Sequence, residues 1–144
     1  MANGSASPIY SYEFTIPLEA LDENGHVNNV QYVQWMQDAA VRHYESIGGI
    51  PLTLALGATW VVRSHNIEYL RPAFAGDRIE VRTWVANIHR VRSLRRYRFI
   101  RLADNKLLVK GETDWVFVDA KTGNPLTIPD EIINIFPPMS EEQG

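Results

Sequence analysis

The sequence predicts an α+β domain in which a curved, five-stranded antiparallel sheet wraps around one long central helix. Three observations carry this. One stretch, Val30 to Ile47, has helical periodicity over its whole length. Five stretches carry strand signals, and four of them follow one another after that helix. No helical segment separates those four, whereas parallel neighbours would need long crossover connections, so the neighbours are antiparallel. A single helix cannot cover both faces of such a sheet, but a sheet curled about one apolar helix satisfies both elements. The outer face and the edges are then left to solvent or to a second subunit.

The elements follow in order. Ile9 to Ile16 alternates Tyr10, Tyr12, Phe14 and Ile16, a strand pattern ended by Pro17. Leu18 to Asn29 is a polar loop. In the helix, Val33, Met36, Ala40, Tyr44 and Ile47 form one stripe, with Tyr32, Trp35, Ala39 and His43 beside it, so the apolar face is wide and the helix is expected to be largely buried. Gly48-Gly49 stops it, and Pro51 supports the stop. Leu52 to Gly57 is a short apolar connection with no assigned state. Thr59 to Tyr69 is rich in aromatic and β-branched residues. After a break at Pro72 and Gly76-Asp77, Arg78 to Ile88 places Ile79, Val81, Thr83 and Val85 on one face. Ser93 to Leu102 sets Tyr97 and Phe99 among arginines, and Ala103-Asp104-Asn105 is a hairpin turn. Lys106 to Asp119 carries Trp115 and Phe117 on one face and Val116 and Val118 on the other, which favours a second subunit against the sheet. Pro129 to Phe136 opens like a short helix. Residues 1–144 are expected to form one domain, with 1–8 and 137–144 as loose tails.

Composition narrows the function. The 144 residues include 45% hydrophobic side chains, enough for a proper core. A net charge of -3 gives no general attraction to nucleic acid or anionic membranes, and no recognition motif for nucleic acid is present. The absence of cysteine excludes a disulfide framework and thiolate chemistry. No signal segment or long apolar run occurs, so a cytoplasmic protein without membrane insertion is expected. His26, His43, His65 and His89 are widely spaced and form no His-Glu-x-x-His pair, so no metal is expected. There is no glycine-rich phosphate loop and no Gly-x-Ser-x-Gly elbow.

The stretch Asp22-Glu23-Asn24-Gly25-His26-Val27-Asn28-Asn29 concentrates the chemistry. It ends at the start of the long helix, where unpaired N–H groups and the positive end of the dipole lie. Asp22, Asn24 and His26 offer a base, an orienting amide and a proton carrier. The plain alternative is a turn rich in Asp, Asn and Gly, with Asn28 as an ordinary N-cap.

Asp22, Gly25, His26, Val27, Asn28 and Asn29, followed by Tyr32 and Trp35, resemble the opening of the hot-dog-fold thioesterases. The 4-hydroxybenzoyl-CoA thioesterase-like group has an Asp, a Gly three residues on and an aromatic thirteen residues on, here Asp22, Gly25 and Trp35. The fuller Asp-x-Asn-x-His-Val-Asn-Asn form is similar to plant and bacterial acyl-ACP thioesterases. Ile67-Glu68-Tyr69-x-Arg71-Pro72 resembles a second-strand pattern common to both. The likeness runs from Tyr12 to Val118. It departs where plant acyl-ACP thioesterases carry a Glu-Cys pair, since this chain reads Leu70-Arg71-Pro72-Ala73.

The resemblance implies a hot-dog fold and hydrolysis of an acyl thioester without cofactor or metal. It makes Asp22 the nucleophile or the base that activates water, and the Asn29 N–H the oxyanion donor. His26 would hold water or carry a proton, and Asn24 would orient either partner. Gly25, Asn28, Tyr32 and Arg71 become candidate substrate contacts. Arg96 and Arg98, on one face of the arginine-rich strand, are candidates for the phosphates of coenzyme A; the other reading is a solvated face balanced by Glu80, Glu112 and Asp114. The expected substrate is acyl-CoA, the expected assembly a homodimer or homotetramer. The alternatives are an acyl-ACP thioesterase and a non-catalytic acyl-thioester binding or regulatory module.

Overall fold

The computed structural model describes residues 7–137. Strand β1 (Tyr10–Thr15) leads through a single 3-10 turn (Leu18–Ala20) and the polar loop into helix α1 (Asn29–Ser46). A short helix α2 (Gly49–Ala55) precedes β2 (Ala58–Tyr69), β3 (Arg78–His89), β4 (Arg92–Arg101) and β5 (Lys106–Asp119), and α3 (Asp130–Ile133) follows. The five strands form one sheet in the order β1-β3-β4-β5-β2, antiparallel at every step. Strands β1 and β2 are therefore the two edges, and the chain between them carries α1 across the inner face. This is the hot-dog arrangement that the resemblance implied. The expected tails fall almost wholly outside the described residues.

Three expectations are corrected. Pro51 does not mark a stop: Gly48, at φ +81, turns the chain, and Pro51 sits in the first turn of α2, where its missing N–H costs nothing. Gly49 is required there because any β-carbon would run into the ring of Tyr44. Second, the wide apolar face read off the sequence is not buried evenly: Tyr32, Met36, Ala39, Ala40 and His43 are buried, while Val33, Trp35, Tyr44 and Ile47 are half-buried. Val30 and Val41 face outward at 74% and 54% exposure. Third, α1 is not the only cover of the inner face. Trp115 packs against the core under α1, while Phe117 lies in a second cluster with Ile128, Ile132 and Phe136 from the C-terminal segment. The chain itself thus covers one of the two apolar faces of β5.

The core under α1 is a close fit. Gly111 on β5 faces Met36, and a β-carbon at 111 would sit 2.8 Å from the Met36 sulfur. Ile79, Val81, Tyr97, Phe99 and Val109 fill the inner face around it, each no more than 1% exposed. Alternation along β4 sends Arg95, Tyr97 and Phe99 inward and Arg96 and Arg98 outward.

Candidate active site at the start of the central helix

The loop between β1 and α1 is closed by its own backbone. Leu21 and Val27 form an isolated antiparallel bridge, and the Asp22 N–H donates to the His26 carbonyl at 2.7 Å. The Gly25 N–H donates back to the Asp22 carbonyl at 3.0 Å, and Gly25 adopts φ +78, a left-handed conformation that a side chain would strain. Two further bonds fasten the loop to the body: the Val27 N–H to the Ala73 carbonyl and the Asn28 N–H to the Ala20 carbonyl, both 2.9 Å.

Within this frame Asp22 is held by one oxygen. Its Oδ1 accepts the Asn24 N–H at 2.9 Å and the His26 N–H at 3.3 Å. Its Oδ2 has no protein partner among the described residues. Asn24 and His26 therefore touch Asp22 through their backbone, while their side chains are exposed. The His26 ring stands edge-on to Phe74 at 5.4 Å. Asn28 caps α1, its side chain accepting the Val30 N–H at 3.0 Å. Asn29 is the first helical residue, and its N–H has no acceptor among the described residues. No acidic residue lies in the first turn of α1, so the positive dipole end is not neutralised within the helix.

The segment after β2 packs beside the loop. The Tyr69 hydroxyl donates to the Asn29 carbonyl at 3.2 Å, Ala73 holds Val27, and Phe74 meets His26. Arg71 belongs to this segment and is exposed, with Nη1 donating to the Leu107 carbonyl at 3.0 Å. Tyr32 lies one turn into the helix, buried among Trp35, Tyr69 and Phe99. Its hydroxyl finds no partner among the described residues, and burial, followed by the nearby Tyr69, pushes its pKa up to about 12.

The structure thus brings together Asp22, Asn24, Gly25, His26, Asn28 and Asn29, with Arg71 and Tyr32 in the elements next to them. Arg96 and Arg98 are elsewhere, on the sheet face turned away from α1. Arg96 pairs with Glu112 at 2.9 Å, and Arg98 lies over the Trp84 ring at 5.2 Å. They line a polar groove with Glu68, Lys110 and Glu112, a mixed-charge surface. Sequence reading missed Phe74, whose only signal was its place just after the second-strand pattern, and the hydroxyl contact of Tyr69. It also missed a buried group at the far end of α1, described below. Among the described residues, no cluster of three or more histidine or acidic side chains could hold a metal.

The family and the fold are shown by similarity to known proteins. Residues 16–136 match the thioesterase-like superfamily, and the chain belongs to that family. A curated relative, the L-carnitine dehydrogenase/betainyl-CoA thioesterase of Ruegeria pomeroyi, is 28% identical over 137 residues. The match covers 95% of this chain but only 28% of that protein, so the chain spans about a quarter of its length. Among solved structures, a 1,4-dihydroxy-2-naphthoyl-CoA thioesterase from Synechocystis superposes with a TM-score of 0.79 at 19% identity, covering 89% of this chain and 95% of the other. An acyl-ACP thioesterase from Bacteroides thetaiotaomicron gives 0.81 at 22% identity, covering 92% and 55%. These two establish the shared fold.

Proposed function

We propose that the protein is an acyl-CoA thioesterase in which Asp22 is the catalytic carboxylate and the Asn29 N–H receives the oxyanion. The observation that carries this is the state of Asp22: one oxygen fixed by two backbone N–H groups, the other unpaired, in a loop that closes directly onto a helix start. A carboxylate held this way keeps its orientation and still offers a lone pair. It removes a proton from the attacking water, or attacks the thioester carbonyl itself to form a mixed anhydride that water then hydrolyses to free acid and carboxylate. Negative charge then develops on the carbonyl oxygen, where a helix N-terminal N–H and the dipole stabilise it. The C–S bond breaks, and the thiolate leaves as the thiol with one proton. In this reading His26, whose side chain is exposed in the same loop, relays that proton. The coenzyme A carrier is supported by the name of the curated relative, which specifies betainyl-CoA. No helix among the described residues is long and apolar enough to cross a membrane.

The test is release of thiol from a panel of acyl-CoA and acyl-ACP substrates. Turnover of an acyl-CoA that falls in Asp22→Asn is expected. Turnover confined to acyl-ACP would move the carrier assignment, and binding without thiol release from any substrate would favour a non-catalytic module.

The assembly belongs to the same proposal. Strand β2 is a long edge strand with a free row of backbone groups and exposed Val61 and Tyr69. Such an edge invites pairing with a second copy. A homodimer joined there would make one continuous sheet and could build a homotetramer. A solution mass of twice or four times 16.4 kDa is expected, and a monomer at micromolar concentration would overturn it.

A further inference from the structure

About 21 Å along α1 from Asn29, at about 1.5 Å per residue, the helix reaches His43 and a second polar group of a different kind. Arg95 projects inward from β4 and is 4% exposed. Its Nη1 lies 2.9 Å from His43 Nδ1 and donates to Thr83 Oγ1 at 3.1 Å. Burial, and then the charge of Arg95, push His43 down to about 3, so the imidazole is neutral and accepts through Nδ1. Both partners of the guanidinium are therefore uncharged. No carboxylate among the described residues pairs with Arg95, although Arg78, Arg82, Arg92, Arg96 and Arg101 all have one. Its Nε and Nη2 donors have no protein acceptor among the described residues.

Arg95 forms part of the wall of a cavity of about 250 Å³ between α1, α2 and the sheet. Tyr44, Trp60, Trp115 and Phe136 give the wall an aromatic part beside aliphatic side chains, with Ser93 and Thr53 as small polar neighbours. Val41 and Leu54 also line it and are 54% and 72% exposed, so the cavity opens to the surface between the two helices.

We infer that this cavity is a binding site for a small apolar carboxylate, with Arg95 as the residue that receives the carboxyl group. A buried cation without a counter-charge destabilises the fold, and an anion seated against it relieves that. The guanidinium fork matches the two oxygens of a carboxylate. An inorganic anion would leave the aromatic wall unfilled. At roughly 30 Å³ per water-sized group, the volume of about 250 Å³ holds about eight heavy atoms, close to the size of benzoate or of a six-carbon acid. Two sources share this chemistry: a free acid, or the far end of an acyl group that carries a second carboxylate.

The test titrates the full chain with benzoate, hexanoate and octanoate and with their neutral amides, read by calorimetry and by tryptophan fluorescence. At least one acid should bind about tenfold or more tightly than its amide, the difference a charged hydrogen bond supplies. Arg95→Met should abolish that preference, whereas Asp22→Asn should keep it, so this inference and the proposed hydrolysis fail separately. The acid–amide comparison in the unaltered protein stands even if Arg95→Met does not fold. No acid binding, an amide binding as tightly as its acid, or a preference that survives Arg95→Met overturns the site. A terminally carboxylated acyl-CoA whose KM depends on Arg95 would identify the acyl group as the source. Binding of free acid without that dependence would identify a separate ligand.

Discussion

The two ends of α1 solve the same problem, placing a charged side chain beside a helix, in opposite ways. At the start, Asp22 is partly exposed, and its hydrogen bonds go to backbone groups two and four residues away. At the far end, Arg95 and His43 are 52 residues apart in sequence, both buried, and bonded to each other. The first arrangement costs little, because water solvates what the loop leaves unpaired. The second is held together by several elements packed around it, with Thr83 of β3 accepting from Arg95, the His43 ring stacked on Tyr10 of β1 at 5.5 Å and edge-on to Phe136 at 6.0 Å. The lesson is that a local polar cluster can be tuned for chemistry at small cost to the fold, whereas a buried one ties its chemistry to stability.

Three measurements test that contrast, in falling order of effect. Asp22→Asn should lower kcat by about 10²–10⁴-fold, the usual worth of a general base. The amide oxygen still accepts the Asn24 and His26 N–H groups, so the loop and the melting temperature should be nearly unchanged. A variant with normal kcat on its best acyl-CoA would remove Asp22 from the chemistry.

At the buried end the effect should appear in stability. The folded-state pKa of His43 is lowered from 6.5 to about 3. Between those values the unfolded chain binds a proton here that the folded chain does not. Stability is therefore full above about pH 6.5 and falls on acidification, by up to about 1.4 kcal/mol per pH unit. Urea midpoints recorded from pH 7 to pH 4 should show this slope, and His43→Gln should flatten it. An equal slope in the variant would assign the acid sensitivity to other groups.

The smallest effect concerns the cap that joins the loop to the helix. Asn28→Ala leaves the Val30 N–H without its acceptor and should cost about 1 kcal/mol, while Asn28→Asp should restore most of it. Chemical denaturation of the two variants checks this, and equal stability of the unaltered chain and Asn28→Ala would show that the cap contributes nothing.

Much of this molecule was written in short-range pattern. The long strand Lys106–Asp119 was read with the bounds it has, because alternation and its flanking turns are local signals. The motif from Asp22 to Asn29 was equally legible, since its hydrogen bonds close within the loop or against the elements beside it. The helix α2 was not: Gly48-Gly49 and Pro51 read as an ending, and only the fit of Tyr44 over Gly49 and its 2.6 Å hydroxyl bond to Thr53 make them a corner between two helices. The arginine-rich strand divides in the same way. Alternation told that Arg95 and Arg96 point to opposite sides. It could not tell that His43 of α1 and Thr83 of β3 would be the groups to meet Arg95 on the side it shares with Tyr97 and Phe99, because those contacts join residues far apart in the chain. Sequence by itself determined the long helix, the five strands, their antiparallel pairing and the polar loop before the helix, all set by neighbours along the chain. Tertiary structure decided which arginine lost its water, because burial is a property of what other parts of the chain bring alongside.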